Sequence, residues 1–196
     1  MDRQRLEQQL AFALEIDQEK QVLRQTHLSH HGRRENDAEH AWHMTVMAYL
    51  LREYANEPID IGRTMIMTLT HDLVEIYAGD TYAYDEEGQR DADKRERKAA
   101  DRLFGMLPPD QARELWEIWD EFQRNQTPEA HFAHAMDNVQ PMMLNNSNGG
   151  SDWREHGVER SGPDRRNAQT RLGSTELATY IDELLDANVA AGNLRG

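Results

Sequence analysis

Three observations predict an all-α fold, a single domain built as a bundle of about six to seven helices. Apolar residues recur every three or four positions through most of the 196-residue chain, the period of one buried helix face. Helix-start signatures precede several of these stretches. No segment alternates apolar and polar residues over the length that a half-buried strand requires.

In chain order, Leu6, Leu10, Ala13 and Leu14 make an amphipathic first helix, which ends before the polar stretch from Thr26 to Arg34, read as a loop. Asn36 followed by Glu39 forms a capping box, in which each side chain satisfies a backbone N–H of the other. It opens a helix with Met44, Met47, Leu51 and Tyr54 inward, and His40 falls on that stripe. Ile61, Met65, Leu69, Asp72 and Ile76 form the next stripe, broken at Gly79. Asp72 there stands where a helix normally buries an apolar group, so it needs a partner. The acidic stretch from Asp80 to Arg90 contains Gly88 and reads as a surface loop before a charged helix from about Asp91 to Met106. Pro108 and Pro109 start a helix with Leu115, Ile118, Trp119 and Phe122 toward the core. Thr127, Pro128 and Glu129 supply an N-cap, a first-position proline and a first-turn acid to the helix bearing Phe132, Met136, Val139 and Met143. Pro141 is expected to kink that helix. Residues 145–173 are rich in Gly, Asn, Ser, Arg and Asp and read as an irregular connection to a last helix over 174–190.

Composition narrows the function. Lys and Arg number 22 against 36 Asp and Glu, a net charge of −14 that disfavours nucleic-acid polymers and anionic membrane surfaces as partners. A small anionic substrate is compatible with this charge where a metal or local arginines reverse the field. The chain has no cysteine, which rules out disulfides and thiolate metal sites, so a metal must take His and carboxylate ligands. No apolar run approaches membrane-spanning length, and the segment Met1 to Gln9 is charged rather than signal-like, so the expected compartment is the cytoplasm.

With nine histidines, a His-Asp dipeptide is expected about once by chance, so His71 and Asp72 mean little alone. Their context is more informative. The pair ends an otherwise apolar helix, His40 lies on the inner face of the preceding one, and Asp137 lies on a later helix near Ala130, Ala133 and Leu144. Singly, His40 reads as a core histidine and the aspartates as caps or buried salt bridges. Together, three core helices each offer a metal-capable group, and one divalent cation offsets the cost of burying two carboxylates. A set of two imidazoles and two carboxylates suits Mn²⁺, Co²⁺, Fe²⁺, Zn²⁺ or Mg²⁺.

The segments EHAWHM (39–44), HDLVEIYAGDT (71–81), LPPDQARELWEIWDEF (107–122) and TPEAHFAHAMDNVQPM (127–142) resemble the HD-domain phosphohydrolases, most closely the branch that includes the 5′-deoxynucleotidases. The resemblance spans about residues 20 to 145. It implies metal ligation by His40, His71, Asp72 and Asp137, a helical HD-domain core often found as a homodimer, and catalytic or substrate-facing roles for Glu75 and Asp80. Arg24 matches a family arginine before the metal-helix loop. The next position can be a bulky aromatic linked to sugar selection in the deoxynucleotidases and here is Gln25. Arg33 and Arg34 are secondary candidates for substrate phosphate, which a guanidinium binds through two oxygens at once.

Glu75 lies four residues after His71, one helical turn on, within reach of an attacking water. The expected chemistry is phosphomonoester hydrolysis, with nucleoside 5′-monophosphates as first substrates: the cation polarises a phosphate oxygen while Glu75 orients or deprotonates water. Asp80 would assist the leaving alkoxide or contact the sugar. The alternative readings are hydrolysis of cyclic nucleotides, alarmones or nucleoside triphosphates, a non-catalytic metal-stabilised module, and, for Glu75 and Asp80, solvated acids at a helix end. His27, His30, His31 and the segment from Gly149 to Trp153 have no assigned role.

Overall fold

Helices carry most of the described residues, 2–80 and 91–196 of the computed structural model. Helix α1 (Arg3–Glu15) is capped by Asp2, whose carboxylate accepts from the Arg5 N–H at 3.2 Å, and a 3₁₀ turn over Ile16–Gln21 follows. Strands β1 (Leu23–His27) and β2 (Arg34–Asn36) pair antiparallel, with Leu23 opposite Asn36 and His27 opposite Arg34. The remaining elements are α2 (Asp37–Leu51), α3 (Ile61–Thr70), α4 (Glu75–Ala78), α5 (Ala92–Phe104), α6 (Pro109–Arg124), α7 (Pro128–Ser147), α8 (Ser151–Glu155), α9 (Ser161–Gly173) and α10 (Thr175–Ala190). The all-α expectation therefore holds apart from one short hairpin. The loop expected from Asp80 to Arg90 lies outside the described residues except for Asp80.

Helix α7 is the axis of the fold and packs against α2, α3, α6, α9 and α10. Both predicted caps form. The Glu39 N–H donates to Asn36 Oδ1 at 2.9 Å and the Asn36 N–H to Glu39 Oε2 at 3.2 Å, while Thr127 Oγ1 accepts from the Ala130 N–H at 3.2 Å. These caps satisfy amide groups that would otherwise be orphaned at a helix start. The α7 helix continues through Pro141 to Ser147. Met44, Met47, Phe132, Met136, Val139, Trp153, Ile181 and Leu185 belong to one apolar cluster between α2, α7, α8 and α10. A second joins α1, α5 and α6 through Phe12, Leu103, Phe104 and Trp119, and a third brings Met67, Ile118, Phe122 and Ala133 together.

Four details depart from the sequence expectations. The polar stretch from Thr26 to Arg34 is a loop over residues 28–33, but it joins two strands that the sequence did not announce, β1 and β2, which are short and held by pairing more than by an apolar face. Helix α3 buries Thr64, Met67, Thr68 and His71, whereas Leu69 is exposed and Met65 only partly covered. Threonine can be buried here because each hydroxyl is satisfied locally: Thr64 Oγ1 donates to the Asp60 carbonyl at 2.9 Å, Thr68 Oγ1 to that of Met65 at 2.9 Å, and Thr45 and Thr68 share a bond of 2.8 Å. Tyr54 and Met143, expected inward, are exposed.

The segment read as irregular over 145–173 is largely helical. The α9 helix lacks an apolar stripe and buries Gly162, Pro163, Asn167, Thr170 and Gly173 instead. It is held by close approach: a Cβ on Gly173 would lie 2.2 Å from the His131 carbonyl oxygen, so only glycine lets α9 sit this near α7. Asn167 Nδ2 adds donations to the Ala178 carbonyl at 2.8 Å and Asp182 Oδ1 at 2.6 Å.

The unassigned segments also find places. His30 and His31 adopt left-handed φ of 58° and 57° at the tip of the hairpin, an uncommon conformation for side-chain-bearing residues. The tip is pinned by Asn148, which accepts from the His31 N–H at 2.8 Å and donates to the Leu28 carbonyl at 3.0 Å. Asp152 accepts from His27 twice, from the backbone N–H at 3.0 Å and from Nδ1 at 2.7 Å.

Candidate metal centre

The groups singled out in the sequence meet between α2, α3 and α7. The α2 cap directs its first turn so that His40 is fully buried against α7. The α3 helix ends at His71, which places Asp72 just past the last turn. Asp137 lies midway along α7. His40 Nε2 is 3.1 Å from Asp137 Oδ1, His71 Nε2 is 3.0 Å from Asp72 Oδ2, and His71 Nε2 is 3.9 Å from Asp137 Oδ1. Donor atoms of His40, His71 and Asp72 all lie within 4.8 Å of one another.

The residues fit a divalent cation on two counts. First, both imidazoles have their outer nitrogens engaged. His40 Nδ1 is 3.0 Å from Gln140 Oε1 and His71 Nδ1 is 3.0 Å from the Thr68 carbonyl, both acceptors. Each Nδ1 therefore carries a proton, so each Nε2, when free of its own, can present a lone pair inward, as a ligand needs. Gln140 is itself fixed, since its amide donates to Glu35 Oε1 at 2.7 Å. Second, acid exceeds base. Glu35, Asp37, Asp72, Glu75, Asp80 and Asp137 cluster here, and the guanidiniums bonded to members of the cluster are Arg24 and Arg166 among the described residues. Buried Glu35 Oε2, Asp37 Oδ2 and Glu75 Oε2 find no hydrogen-bond partner there. Such an excess of buried negative charge is costly unless a cation or protons offset it.

The field of the site shows in its titrations. Burial pulls the His71 imidazole down, but adjacent Asp72 reverses this and raises it to about 9. His40 goes the other way, lowered to about 4 by burial and by the Arg24 charge. Asp72 and Asp137 are lowered: burial raises both, but His71 and Arg24 outweigh it at Asp72, and Arg166 and His40 at Asp137. Glu75 and Asp37 are raised by burial and by the neighbouring Asp72. Burial also raises Asp80, and it raises both Glu35 and Glu19 to about 7.

Glu75, Asp80 and Asp37 each offer a carboxylate oxygen within 4.8 Å of the other two, beside the first cluster. Arg24 reaches the same place from β1, its Nη1 2.9 Å from Asp72 Oδ2 and 3.3 Å from Asp37 Oδ1. Gln25, next on β1, is partly buried and makes no hydrogen bond among the described residues to any member of the cluster. Arg33 is exposed and pairs with Glu39, its Nη1 2.8 Å from Oε2, and so braces the α2 cap.

Sequence reasoning missed Asp37, Glu35, Gln140 and Arg166. Helical spacing held a signal for two of them. Asp37 precedes His40 by three residues and Gln140 follows Asp137 by three, so each shares a face with a proposed ligand. Glu35 precedes its helix, and Arg166 lies in the segment read as irregular.

Known proteins resemble this chain in sequence and in fold. A family model of the HD domain matches residues 16–177. Over the whole chain, a predicted metal-dependent phosphohydrolase from Magnetospirillum magnetotacticum MS-1 is 48% identical, with a TM-score of 0.94 covering 98% of this chain and 96% of that one. An HD-domain phosphohydrolase from Listeria innocua is similar in fold alone, at 15% identity and a TM-score of 0.64 over 92% of this chain and 89% of that one. The bovine and human proteins named 5′-deoxynucleotidase HDDC2 are 28% and 27% identical over 109 and 111 residues, 56% and 57% of this chain. The match covers about half the length of those relatives, 52% and 53%.

Proposed function

Because this chain belongs to the HD domain family, we propose that it is a metal-dependent phosphohydrolase, acting as a phosphomonoesterase on nucleoside 5′-monophosphates. The observation that carries the reading is the convergence of two inward-facing imidazole nitrogens with the Asp72 and Asp137 carboxylates, beside the unpartnered Glu75 oxygen. His40, His71, Asp72 and Asp137 would hold one divalent cation, Mn²⁺, Co²⁺, Fe²⁺, Zn²⁺ or Mg²⁺. Such an ion supplies Lewis-acid polarisation of a phosphate oxygen and a lowered water pKa.

The chain's own groups do the rest. Glu75, its carboxyl raised by burial and by Asp72 and Asp37, takes the proton of the water attacking phosphorus. We assign the departing sugar oxygen to Asp80, whose carboxyl burial also raises so that it can supply a proton. Arg24 fixes Asp72 and Asp37 and brings positive charge to the phosphate side. The nucleotide assignment is supported by the names of the HDDC2 relatives.

The test is a phosphate-release screen over nucleotides and sugar phosphates with each cation, run on the wild type and on Glu75→Gln. The expected result is release from a nucleoside monophosphate and a fall in kcat of about 10²- to 10⁴-fold in the variant, with Mn²⁺ binding kept. Wild-type turnover by Glu75→Gln would remove its role. Cleavage of only cyclic nucleotides, alarmones or triphosphates would move the substrate assignment.

A cytoplasmic location belongs to the same reading, since no apolar run of the sequence approaches membrane-spanning length. Among the described residues, no helix is long and apolar enough to cross a membrane. We also propose a homodimer. Trp42, Val46, Tyr49 and Leu50 form one outward face of α2, with Trp42 64% and Leu50 63% exposed, and Ile66 and Leu69 of α3 are exposed too. Apolar faces of this kind mark association surfaces. Light scattering is expected to give twice the chain mass for the wild type and the monomer mass for Leu50→Asp; a monomeric wild type at micromolar concentration would remove the proposal.

A further inference from the structure

We propose that Arg166 is a phosphate-binding residue, contacting a non-bridging oxygen of the substrate beside Asp137; this rests on the phosphohydrolase reading. The inference begins with the two oxygens of Asp137. Oδ1 faces inward, 3.1 Å from His40 Nε2, whereas Oδ2 accepts from Arg166 Nη2 at 3.1 Å. Arg166 therefore sits directly behind a proposed metal ligand.

Its head group is fixed before any ligand arrives. Arg166 Nε donates to Asn138 Oδ1 at 2.7 Å, and Asn138 Nδ2 donates back to the Arg166 carbonyl at 3.2 Å. Holding the guanidinium in place reduces the rotamer entropy lost on binding. Among the described residues, Arg166 Nη1 donates to no other side chain, and a guanidinium that keeps such donors can grip phosphate oxygens in pairs.

Arg24 is less suited to this task. Its side chain is 13% exposed and its Nη1 already serves Asp72 and Asp37, with Glu35 near Nε at 3.9 Å. Arg166 is 26% exposed, twice as much as Arg24, and is paired with the Asp137 carboxylate. A phosphate dianion approaching a chain of net charge −14 needs fixed positive charge near the cation. The competing role is a clasp, in which the bonds to Asn138 and Asp137 only hold α9 onto α7.

The two roles separate in Mn²⁺-loaded wild type, Arg166→Gln and Arg166→Lys. Inorganic phosphate binding is measured by calorimetry, Mn²⁺ affinity by titration without phosphate, fold by thermal melting, and KM and kcat on the best monoester of the screen. Arg166→Gln is expected to weaken phosphate binding and raise KM by about 10- to 100-fold, the worth of a charge-assisted hydrogen bond. Mn²⁺ affinity is expected to fall by about 10- to 100-fold as well, because Arg166 backs the Asp137 ligand, so phosphate binding is read at saturating Mn²⁺. Arg166→Lys keeps the charge without the fork and should fall between the two. Wild-type phosphate affinity in Arg166→Gln, or in Arg166→Lys should the glutamine variant not fold, overturns the proposal in favour of the clasp. In that case wild-type turnover still upholds the phosphohydrolase reading, whereas a wild type that neither binds phosphate nor releases it from any ester ends both.

Discussion

Asp72→Ala is expected to stop phosphate release, with a loss of more than about 10³-fold, and to weaken Mn²⁺ binding beyond the roughly 10- to 100-fold that follows loss of a partner behind a ligand. The size of the effect comes from the number of groups that converge on one carboxylate. Asp72 Oδ2 lies 3.0 Å from His71 Nε2 and 2.9 Å from Arg24 Nη1. Removing it takes away a proposed ligand and leaves Arg24 with Asp37 but without its shorter carboxylate contact. Asp72→Asn keeps the shape while removing the charge, so it separates lost ligation from collapse of the site. Turnover is read by phosphate release, metal binding by Mn²⁺ titration, and integrity by thermal melting. A well-folded Asp72→Ala protein that turned over at the wild-type rate would sink the mechanism.

The second large effect is a coupling between pH and metal. Burial raises Glu19 and Glu35 to about 7 from an ordinary 4.5, and Asp37 is raised in the same direction. In the folded, metal-free protein these acids keep protons that the unfolded chain has already released. Their contribution to stability is thus complete below pH 3.8 and is lost as pH rises through about 7 for the two glutamates and about 8 for Asp37. His71 behaves alike in a higher window, complete below 6.5 and lost through about 9. His40 opposes them, since its imidazole is lowered to about 4, and its contribution is present above 6.5 and lost as pH falls toward 4. His43 and His134 are lowered by burial in the same direction as His40, but the raised acids Glu19, Glu35, Asp37, Glu75, Asp80 and Glu96, with His71, outweigh these three histidines. Demetallated protein is therefore expected to melt at a lower temperature at pH 8.5 than at pH 5.5. A cation takes the place of those protons and binds better as His71 loses its own, so the rise in melting temperature on adding Mn²⁺ should be larger at pH 8.5. Melting curves of chelator-treated protein with and without Mn²⁺ across this range provide the measurement. An equal rise at both pH values would show that the buried acids and the cation are not linked.

Helices α2, α6 and α7 were legible in the sequence because each combines a capping signal with an apolar stripe, and both cues act within one turn of the residue they describe. Helix α3 was legible as a helix but not in its facing. Thr64 and Thr68 are buried at the expense of Leu69, a choice that depends on hydroxyl bonds to the helix's own carbonyls and to Thr45. Helix α9 was not legible at all. Gly173 and Asn167 hold it, and their worth appears only against the α7 backbone and the Ala178 carbonyl. The candidate site divides in the same way. Its four proposed ligands stand out as ionisable groups on apolar helices. Glu35 and Gln140 act through His40 and carry no such contrast with their surroundings. Arg166 was hidden because the helix that delivers it was hidden.

The pinning of the β1–β2 hairpin by Asn148 and Asp152 bears on what the smallest working unit of this protein is. Residues 20–145 contain all four proposed ligands, yet Asn148 and Asp152 lie beyond them and grip the strand that carries Arg24. Arg166 arrives from farther along the chain still. The C-terminal third thus supplies one charged contact at the centre and keeps another in register. A fragment cut to the stretch of resemblance would keep the ligand residues and lose the framework that aims the arginines at them.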